Sequence, residues 1–187
     1  METHTQLSQK AREIFSRIIS PVLVRHDLGH HLAGSASYDL MTWKDIDVHI
    51  RAQDDETFLK IKEATSEFMK IPGIWSVWFK DNWELIDPNA GGPRIYLGLR
   101  YCESGDIKDT WKIDCSLFPC EVYEEKIKSD KRFENSLTDE SRSIILEAKH
   151  RLANPNGDMP VGVSSKIYEL VQTGLSDVEA IVAKLSK

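Results

Sequence analysis

The sequence of 187 residues contains no apolar run of membrane-spanning length, and its first residues lack the apolar core of a signal peptide. Its three cysteines, Cys102, Cys115 and Cys120, are odd in number and lack the close pairing of a zinc site. We therefore expect reduced, structural thiols and a cytoplasmic protein without membrane association.

The sequence also has no long run of lysine or arginine, and its formal net charge is −6 at pH 7. A protein that binds nucleic acid by neutralising many phosphates needs the opposite charge. We therefore expect a small-molecule partner rather than a nucleic acid. With 41% hydrophobic residues, the chain can bury the core of one domain, alone or with a small helical appendage.

Two aspartates one residue apart, Asp45 and Asp47, are the most informative feature of the sequence. Residues 45–50 alternate between polar and apolar with the period of a β-strand. The apolar side would pack into a core, while the polar side presents both carboxylates and His49 to a cleft. Because Mg²⁺ is held by one or two carboxylates plus substrate phosphates, this pattern favours metal-dependent phosphoryl or nucleotidyl chemistry.

A Gly34-Ser35 pair precedes Asp45, with nine residues between them. The residues up to Leu32 predict a strand, and at this pair the chain is expected to turn into a short helix. The free N–H groups at the start of a helix attract phosphate. The pair is therefore a candidate phosphate site beside the two aspartates.

A third acid, Asp114, lies in a second segment with strand periodicity, residues 111–118. The alternation directs Ile113 and Cys115 inward and places Lys112 on the same face as Asp114. We therefore expect Asp114 to lie beside the first two aspartates in one sheet.

These residues resemble the motif of the nucleotidyltransferase superfamily with the DNA polymerase β-like fold. That motif is a hydrophobic residue, Gly, Gly or Ser, a spacer of about nine to thirteen residues, then Asp, hydrophobic, Asp or Glu, hydrophobic, with a third acid on a later strand. The segment from Leu32 to Val48 matches each element, and Asp114 fits the later acid. The similarity covers roughly residues 30 to 118.

The resemblance implies an α+β fold with a mixed β-sheet nucleotidyltransferase core flanked by helices. We expect this core over residues 1–120 and a C-terminal helical segment over 121–187 that packs on it. The implied activity moves a nucleoside monophosphate from a nucleoside triphosphate, such as ATP, to a hydroxyl group of a small-molecule acceptor, with Mg²⁺ as cofactor, one ion or two.

The resemblance also implies a role for each residue of the motif. Asp45 and Asp47 would hold the nucleotide-bound Mg²⁺, and Asp114 would bind a second ion or take the proton from the acceptor hydroxyl. Gly34 would let the backbone approach the phosphates, and Ser35 would donate its hydroxyl or amide to them.

Two lysines complete the predicted nucleotide-binding set. Lys44 directly precedes the first aspartate, and Lys112 lies on the face of Asp114. For Lys112, an ion pair with Asp114 is the alternative to a phosphate contact.

Other polar and aromatic residues leave alternatives open. Arg94 and Arg100 share one face of a predicted strand and either reach a phosphate or lie on the surface. His30 and His31 lack the spacing of a zinc motif, and His49 is expected to flank the carboxylates without binding a metal. Large aromatic residues could line an acceptor pocket, but at alternating strand positions they are usually core; they are Trp75, Trp78, Trp83 and Trp111.

Two further functional hypotheses compete with an enzyme. A nucleotidyltransferase-like module could bind nucleotide or regulate a partner without turnover, although its three intact acids argue against this. Residues 165–185 could form a helix-turn-helix, but the second helix carries Asp177 and Glu179, so a helical lid beside the sheet is preferred.

Local patterns also predict the helices and strands. An opening helix over residues 6–19 should end before Pro21, and Asp54 or Asp55 should cap a helix that reaches about Lys70. Ser176 and Glu179 have the offset of a capping box for the last helix. Strands are expected at 75–79, 94–101 and 111–118, a loop at 87–93, and helices at 138–152, 165–173 and 177–185.

Overall fold

The computed structural model describes residues 3–53, 56–81, 94–155 and 157–186. The predicted loop at 87–93, Trp83 and the predicted caps Asp54 and Asp55 lie outside these ranges. The strands are β1 (His30–Ala33), β2 (Asp45–Ala52), β3 (Ile74–Asp81), β4 (Ile95–Tyr101) and β5 (Trp111–Pro119). The α-helices are α1 (His4–Ile14), α2 (Ser20–Arg25), α3 (Gly34–Ser37), α4 (Glu56–Phe68), α5 (Cys120–Ser136), α6 (Asp139–Leu152), α7 (Val163–Gln172) and α8 (Val178–Leu185).

The strands form one mixed sheet in the order β1-β2-β5-β4-β3. Strands β2 and β5 are parallel, and the other neighbouring pairs are antiparallel. The consecutive strands β3, β4 and β5 are adjacent, as expected for a meander. The α+β fold class predicted from the sequence is confirmed.

The N-terminal helix continues beyond the predicted stop at Pro21. A π-helical turn, Phe15–Ile19, joins α1 to α2, and Pro21 lies in the first turn of α2. The first turn of a helix does not use its N–H groups, so a residue without one is tolerated there. The prediction that Pro21 ends the helix is therefore wrong, because the π-helical turn lets the chain begin a new helical segment.

Two apolar clusters hold the elements together. The larger one fills the space between one face of the sheet and helices α1, α2 and α4; within it Ile46, Val48 and Ile50 of β2 are fully buried. The smaller one joins Tyr38 and Leu40 to residues from helices α5 to α8. The division of the chain at residue 120 remains a prediction, since the smaller cluster includes residues from both sides of it.

Local details agree in part with the sequence. Asp177, not Ser176, is the N-cap of α8, and its side chain accepts a hydrogen bond from the Glu179 amide. The three cysteines are free thiols, and Cys115 is buried as predicted. Among the described residues, no helix has both the length and the apolar character needed to cross a membrane.

Candidate active site

The structure brings Asp45, Asp47 and Asp114 together on the face of the sheet opposite the larger apolar cluster. Asp47 and Asp114 are register partners in the parallel pair of β2 and β5. One carboxylate oxygen from each of the three residues lies within 4.8 Å of the others. We call these residues the carboxylate cluster.

Strand alternation explains why the three side chains share a face. Strand β2 alternates between partly exposed and buried residues along its whole length. The apolar residues of β2 belong to the larger apolar cluster, so the aspartates between them must point the other way. Pairing with β5 in parallel register then places Asp114 beside them.

Burial and mutual repulsion disfavour the charged form of two of these acids. Burial, with the nearby charges of Asp45 and Asp114, raises the pKa of Asp47 to about 8. Burial also raises the pKa of Asp45 to about 6, although Lys112 opposes the shift. Oxygen Oδ1 of Asp45 is buried and accepts no hydrogen bond from the described residues. An oxygen donor set that is crowded and incompletely satisfied fits a hard divalent cation such as Mg²⁺.

Lys112 lies between two members of the carboxylate cluster. Its Nζ is 2.7 Å from Oδ2 of Asp114 and 3.4 Å from Oδ1 of Asp45. Burial acts to lower the pKa of Lys112, but the two carboxylates outweigh it and raise that pKa. The ion pair considered as the alternative for Lys112 is therefore present. In this arrangement the ammonium group of Lys112 partly neutralises the acids, as a bound metal cation would.

Gly34 is required by its contact with Asp47. Its φ is +64°, and a Cβ atom at this position would lie 2.3 Å from Oδ2 of Asp47. Both the backbone conformation and the space therefore exclude a side chain. Ser35 follows in the short helix α3 and interacts with the hydroxyl of Tyr168 in α7. The strand-to-helix turn predicted at this pair is present.

Lys44 does not reach the carboxylate cluster. Its Nζ lies 3.0 Å from Oδ1 of Asp109. It instead lines a cleft of about 1040 Å³ that also contains Lys112 and Arg100 from the sheet and His150 from α6. Thus five of the residues predicted for nucleotide or metal binding lie together, namely Gly34, Asp45, Asp47, Lys112 and Asp114, whereas Lys44 lies on the wall of the adjoining cleft.

Sequence reasoning missed Lys149 in α6. This side chain is fully buried, and its Nζ donates to the Leu40 carbonyl at 2.6 Å and to the Tyr168 hydroxyl at 3.3 Å. Burial lowers the pKa of Lys149 to about 8, while the charges of Asp45 and Asp47 act in the opposite direction. A lysine four residues after Ile145, on the apolar face of a predicted helix, was the signal that could have identified it.

Sequence reasoning also missed Tyr96 in β4. Its hydroxyl donates to Oδ1 of Asp114 at 2.8 Å, which leaves Oδ2 facing Lys112. Gly98 is the register partner of Asp114, and a Cβ atom there would lie 2.8 Å from the Tyr96 hydroxyl. The glycine therefore makes room for the tyrosine to hold one oxygen of the acid.

Two of the predicted core tryptophans are exposed. Trp75 is 53% exposed and Trp78 is 47% exposed, whereas Trp111 is buried. The guanidinium group of Arg100 lies 4.6 Å from the ring centroid of Trp78. Trp78 is the register partner of Gly98, so it occupies the same row of the sheet as Asp114. The core interpretation is wrong for Trp75 and Trp78 because they belong to an edge strand, and it is right for Trp111.

Comparisons with known proteins identify the fold. No family model and no curated protein matches the chain. Among solved structures, the GLD-2/RNP-8 complex matches with a TM-score of 0.57 at 11% identity, over 92% of this chain and 61% of that one. Cid1, described for its RNA terminal uridylyl transferase activity, matches with a TM-score of 0.59 at 10% identity, over 88% and 46%. A cytoplasmic RNA terminal U-transferase matches with a TM-score of 0.52 at 12% identity, over 90% and 54%.

This likeness confirms that the chain has the nucleotidyltransferase fold predicted from the sequence motif. At identities of 10 to 12%, it establishes the fold alone. The chain also spans only about half to three fifths of the length of these three proteins.

Proposed function

We propose that this chain is a metal-dependent nucleotidyltransferase that moves a nucleoside monophosphate from a nucleoside triphosphate to a hydroxyl acceptor. The carboxylate cluster in a nucleotidyltransferase fold is the observation that carries the proposal. Its three acids lie beside a Gly-Ser turn and a cleft with several cationic side chains. That combination suits a substrate with a triphosphate group.

Each member of the carboxylate cluster has a distinct place in this proposal. Asp45 and Asp47 would hold the nucleotide-bound Mg²⁺, and Asp114 would share a second ion. Divalent cations bound there would neutralise the negative charge that develops on the phosphate oxygens during the reaction. Lys112, now paired with Asp45 and Asp114, would be released by those cations and could turn to the phosphates.

Asp114 is also placed to accept a proton from the acceptor hydroxyl. Tyr96 holds its Oδ1, so Oδ2, which now pairs with Lys112, is the oxygen that would accept the proton. A carboxylate fixed in this way can act as a general base once the acceptor lies within hydrogen-bond distance. The same residue therefore links cation binding to attack by the acceptor.

The nucleotide would bind between the sheet and the helical segment. Ser35 and Tyr168 meet across this boundary, and Lys149 lies behind them as a buried positive charge. Lys44 and Arg100 line the adjoining cleft. We propose ATP as the donor, as the sequence-based prediction had it, to be compared with the other three triphosphates.

For the acceptor, we propose the terminal hydroxyl of a single-stranded RNA. Trp78, with Arg100 stacked on it, offers an exposed flat surface in the row of Asp114. Bases stack on such aromatic platforms without strict sequence preference. Two of the proteins with a similar fold are named as RNA terminal transferases. The net charge that argued against nucleic acid describes the whole chain, whereas the cleft beside the acids is lined by lysine and arginine.

The small-molecule acceptor expected from the sequence is the second candidate. The cleft of about 1040 Å³ is large enough for a nucleotide and a compact acceptor together. A small molecule would not need Trp78, so the two candidates make different predictions for that residue.

Label transfer tests the proposed reaction. The protein is incubated with Mg²⁺ and each of four triphosphates labelled at the α-phosphate, with either a single-stranded RNA or a metabolite extract. We expect the label on the 3′ end of the RNA. Label on a metabolite alone would establish the second candidate, and tight triphosphate binding with no transfer to either would favour the regulatory module.

The variant Trp78→Ala distinguishes the RNA acceptor from the small-molecule acceptor. Trp75→Ala is the matched control, because Trp75 is also an exposed tryptophan. Loss of one stacked base costs about 1–3 kcal/mol, so KM for the RNA should rise in the first variant while KM for the triphosphate stays unchanged. Equal kinetics in both variants and the wild type would remove Trp78 from the acceptor site.

A further inference from the structure

Two histidines and an aspartate form a second cluster of metal-ligating side chains beside the carboxylate cluster. They are His31 of β1, His49 of β2 and Asp130 of α5, and their donor atoms all lie within 4.8 Å of one another. We call them the histidine cluster. We propose that this cluster binds one transition-metal ion of the Zn²⁺ class, separate from the Mg²⁺ of the carboxylate cluster.

The backbone places the two imidazoles together. His31 and His49 are register partners in the antiparallel pair of β1 and β2, so their side chains are neighbours on one face. Their ring centroids are 5.0 Å apart with the rings nearly perpendicular. The ring of Tyr123 packs on His31 and the ring of Phe118 on His49, and both contacts limit rotation of the imidazoles.

The distances are close to those of a metal site. Nε2 of His31 is 3.2 Å from Oδ2 of Asp130, and Nδ1 of His49 is 3.9 Å from the same oxygen. Ligands at roughly 2.0–2.1 Å from a tetrahedral zinc ion are about 3.3 Å from each other. Oxygen Oδ2 of Asp130 and the nearby nitrogens therefore need only a small movement of His49 to surround one ion.

An unsatisfied nitrogen gives independent support. Nδ1 of His49 is buried and has no hydrogen-bond partner among the described residues. A buried polar atom without a partner costs free energy, and a bound cation would satisfy it. Metal binding by His49 would use the nitrogen that now lies nearest to Asp130 without bonding to it.

The surroundings of Asp130 suit a metal ligand. The Tyr38 hydroxyl donates to its Oδ1 at 2.6 Å, which orients the carboxylate and leaves Oδ2 for the ion. The side chains of the cluster remain 18 to 25% exposed, so a water molecule can complete the coordination. Lys126 and Arg94 are cations near His49, and their positive charge opposes a bound metal ion. The negative charge of Asp130 favours it.

The donor set distinguishes the two clusters chemically. Two imidazoles and one carboxylate suit Zn²⁺ and related transition metals, while three carboxylates suit Mg²⁺. A metal bound by the histidine cluster would tie α5, the first helix of the helical segment, to the strand that carries Asp45 and Asp47. It would thereby fix the two walls of the proposed nucleotide site relative to each other.

Co²⁺ spectroscopy tests the site without any assay of activity. Full-length protein is saturated with Mg²⁺ to fill the carboxylate cluster and then titrated with Co²⁺. We expect intense visible absorption bands of a tetrahedral ion at one equivalent, without a thiolate charge-transfer band, and an increase in melting temperature on addition of Zn²⁺.

Asp130→Asn is the primary variant because asparagine keeps an oxygen for the Tyr38 hydroxyl. His31→Asn is the second variant if the first does not fold. We expect either to weaken Co²⁺ binding by at least about tenfold. The control His26→Asn removes a histidine that lies beside Glu63 and Glu67 and should leave the titration unchanged.

Four results would overturn the proposal. Three of them are the absence of intense visible bands in the wild type, an unchanged titration in Asp130→Asn or His31→Asn, and loss of the bands in His26→Asn. Asp47→Asn should keep the Co²⁺ bands, and their loss there would assign the transition metal to the carboxylate cluster instead.

Discussion

Strand β2 contributes to two clusters whose chemistry differs although they share one face of the sheet. The carboxylate cluster offers only oxygen ligands and already holds a compensating positive charge from Lys112. The histidine cluster offers two nitrogens and one oxygen and has unsatisfied nitrogen atoms instead. Residues two positions apart on one strand can therefore prefer different metal ions, because the neighbouring elements decide which ligands join them.

The two clusters also differ in what fixes their geometry. Asp47 occupies the space that a side chain at position 34 would need, and Asp114 receives a hydrogen bond from Tyr96. The histidine cluster depends on helix α5, whose Asp130 is held by Tyr38. A variant that changes one cluster should therefore alter metal binding at that cluster and leave metal binding at the other unchanged.

The largest effect is expected from Asp47→Asn. This change removes a carboxylate that would ionise to bind the cation, so Mg²⁺ and a non-hydrolysable triphosphate should no longer raise the melting temperature. Turnover should fall by at least roughly two orders of magnitude, since cation binding supplies several kcal/mol of transition-state stabilisation. An unchanged nucleotide-dependent shift would show that the nucleotide binds elsewhere.

A smaller effect is expected from Gly34→Ala. The new Cβ would displace Asp47, and a misplacement near 1 Å can lower turnover by up to roughly 100-fold. Gly105→Ala is the matched control, because Gly105 also has a positive φ, +81°, but open space around it. Both variants should lose about 1–2 kcal/mol of folding stability from the backbone alone. Only Gly34→Ala should lose Mg²⁺ affinity, and equal affinity in both would contradict the close contact.

The smallest effect is expected from pH. The pKa of Asp47, near 8, lies above that of an aspartate in the unfolded chain, so the folded protein without metal retains a proton that the unfolded chain has released. Stability without metal should therefore fall as pH rises from about 4 to 8. Mg²⁺ must displace this proton, so the increase in melting temperature that it causes should grow between pH 6 and 8. Asp47→Asn should flatten the profile; a wild-type response independent of pH would contradict the raised pKa.

Much of the carboxylate cluster could be predicted from the sequence because its information is local. The alternation along β2 and β5 fixes which side chains share a face, and the parallel pairing adds only the register between Asp47 and Asp114. The fold class was predicted from the resemblance that the motif carries. Pro21 was misjudged because a π-helical turn is not visible in apolar spacing.

The remaining site residues depend on contacts between distant parts of the chain. Asp130 meets His31 across 99 positions, and Lys149 meets Leu40 across 109. No local pattern predicts either pairing. The exposure of Trp78 was missed for a related reason: alternation identifies a strand but does not show that it lies at the edge of the sheet.

The most direct test of the proposed function compares affinity and turnover in Asp114→Asn. Asp45 and Asp47 still hold the nucleotide-bound ion in this variant, so triphosphate affinity measured by calorimetry with Mg²⁺ should change little. Release of pyrophosphate in the presence of the acceptor should fall by roughly two to four orders of magnitude, the range for loss of a general base. If affinity and turnover fall together, or if turnover persists at the wild-type rate, Asp114 does not perform the proposed step and the assignment of the carboxylate cluster is wrong.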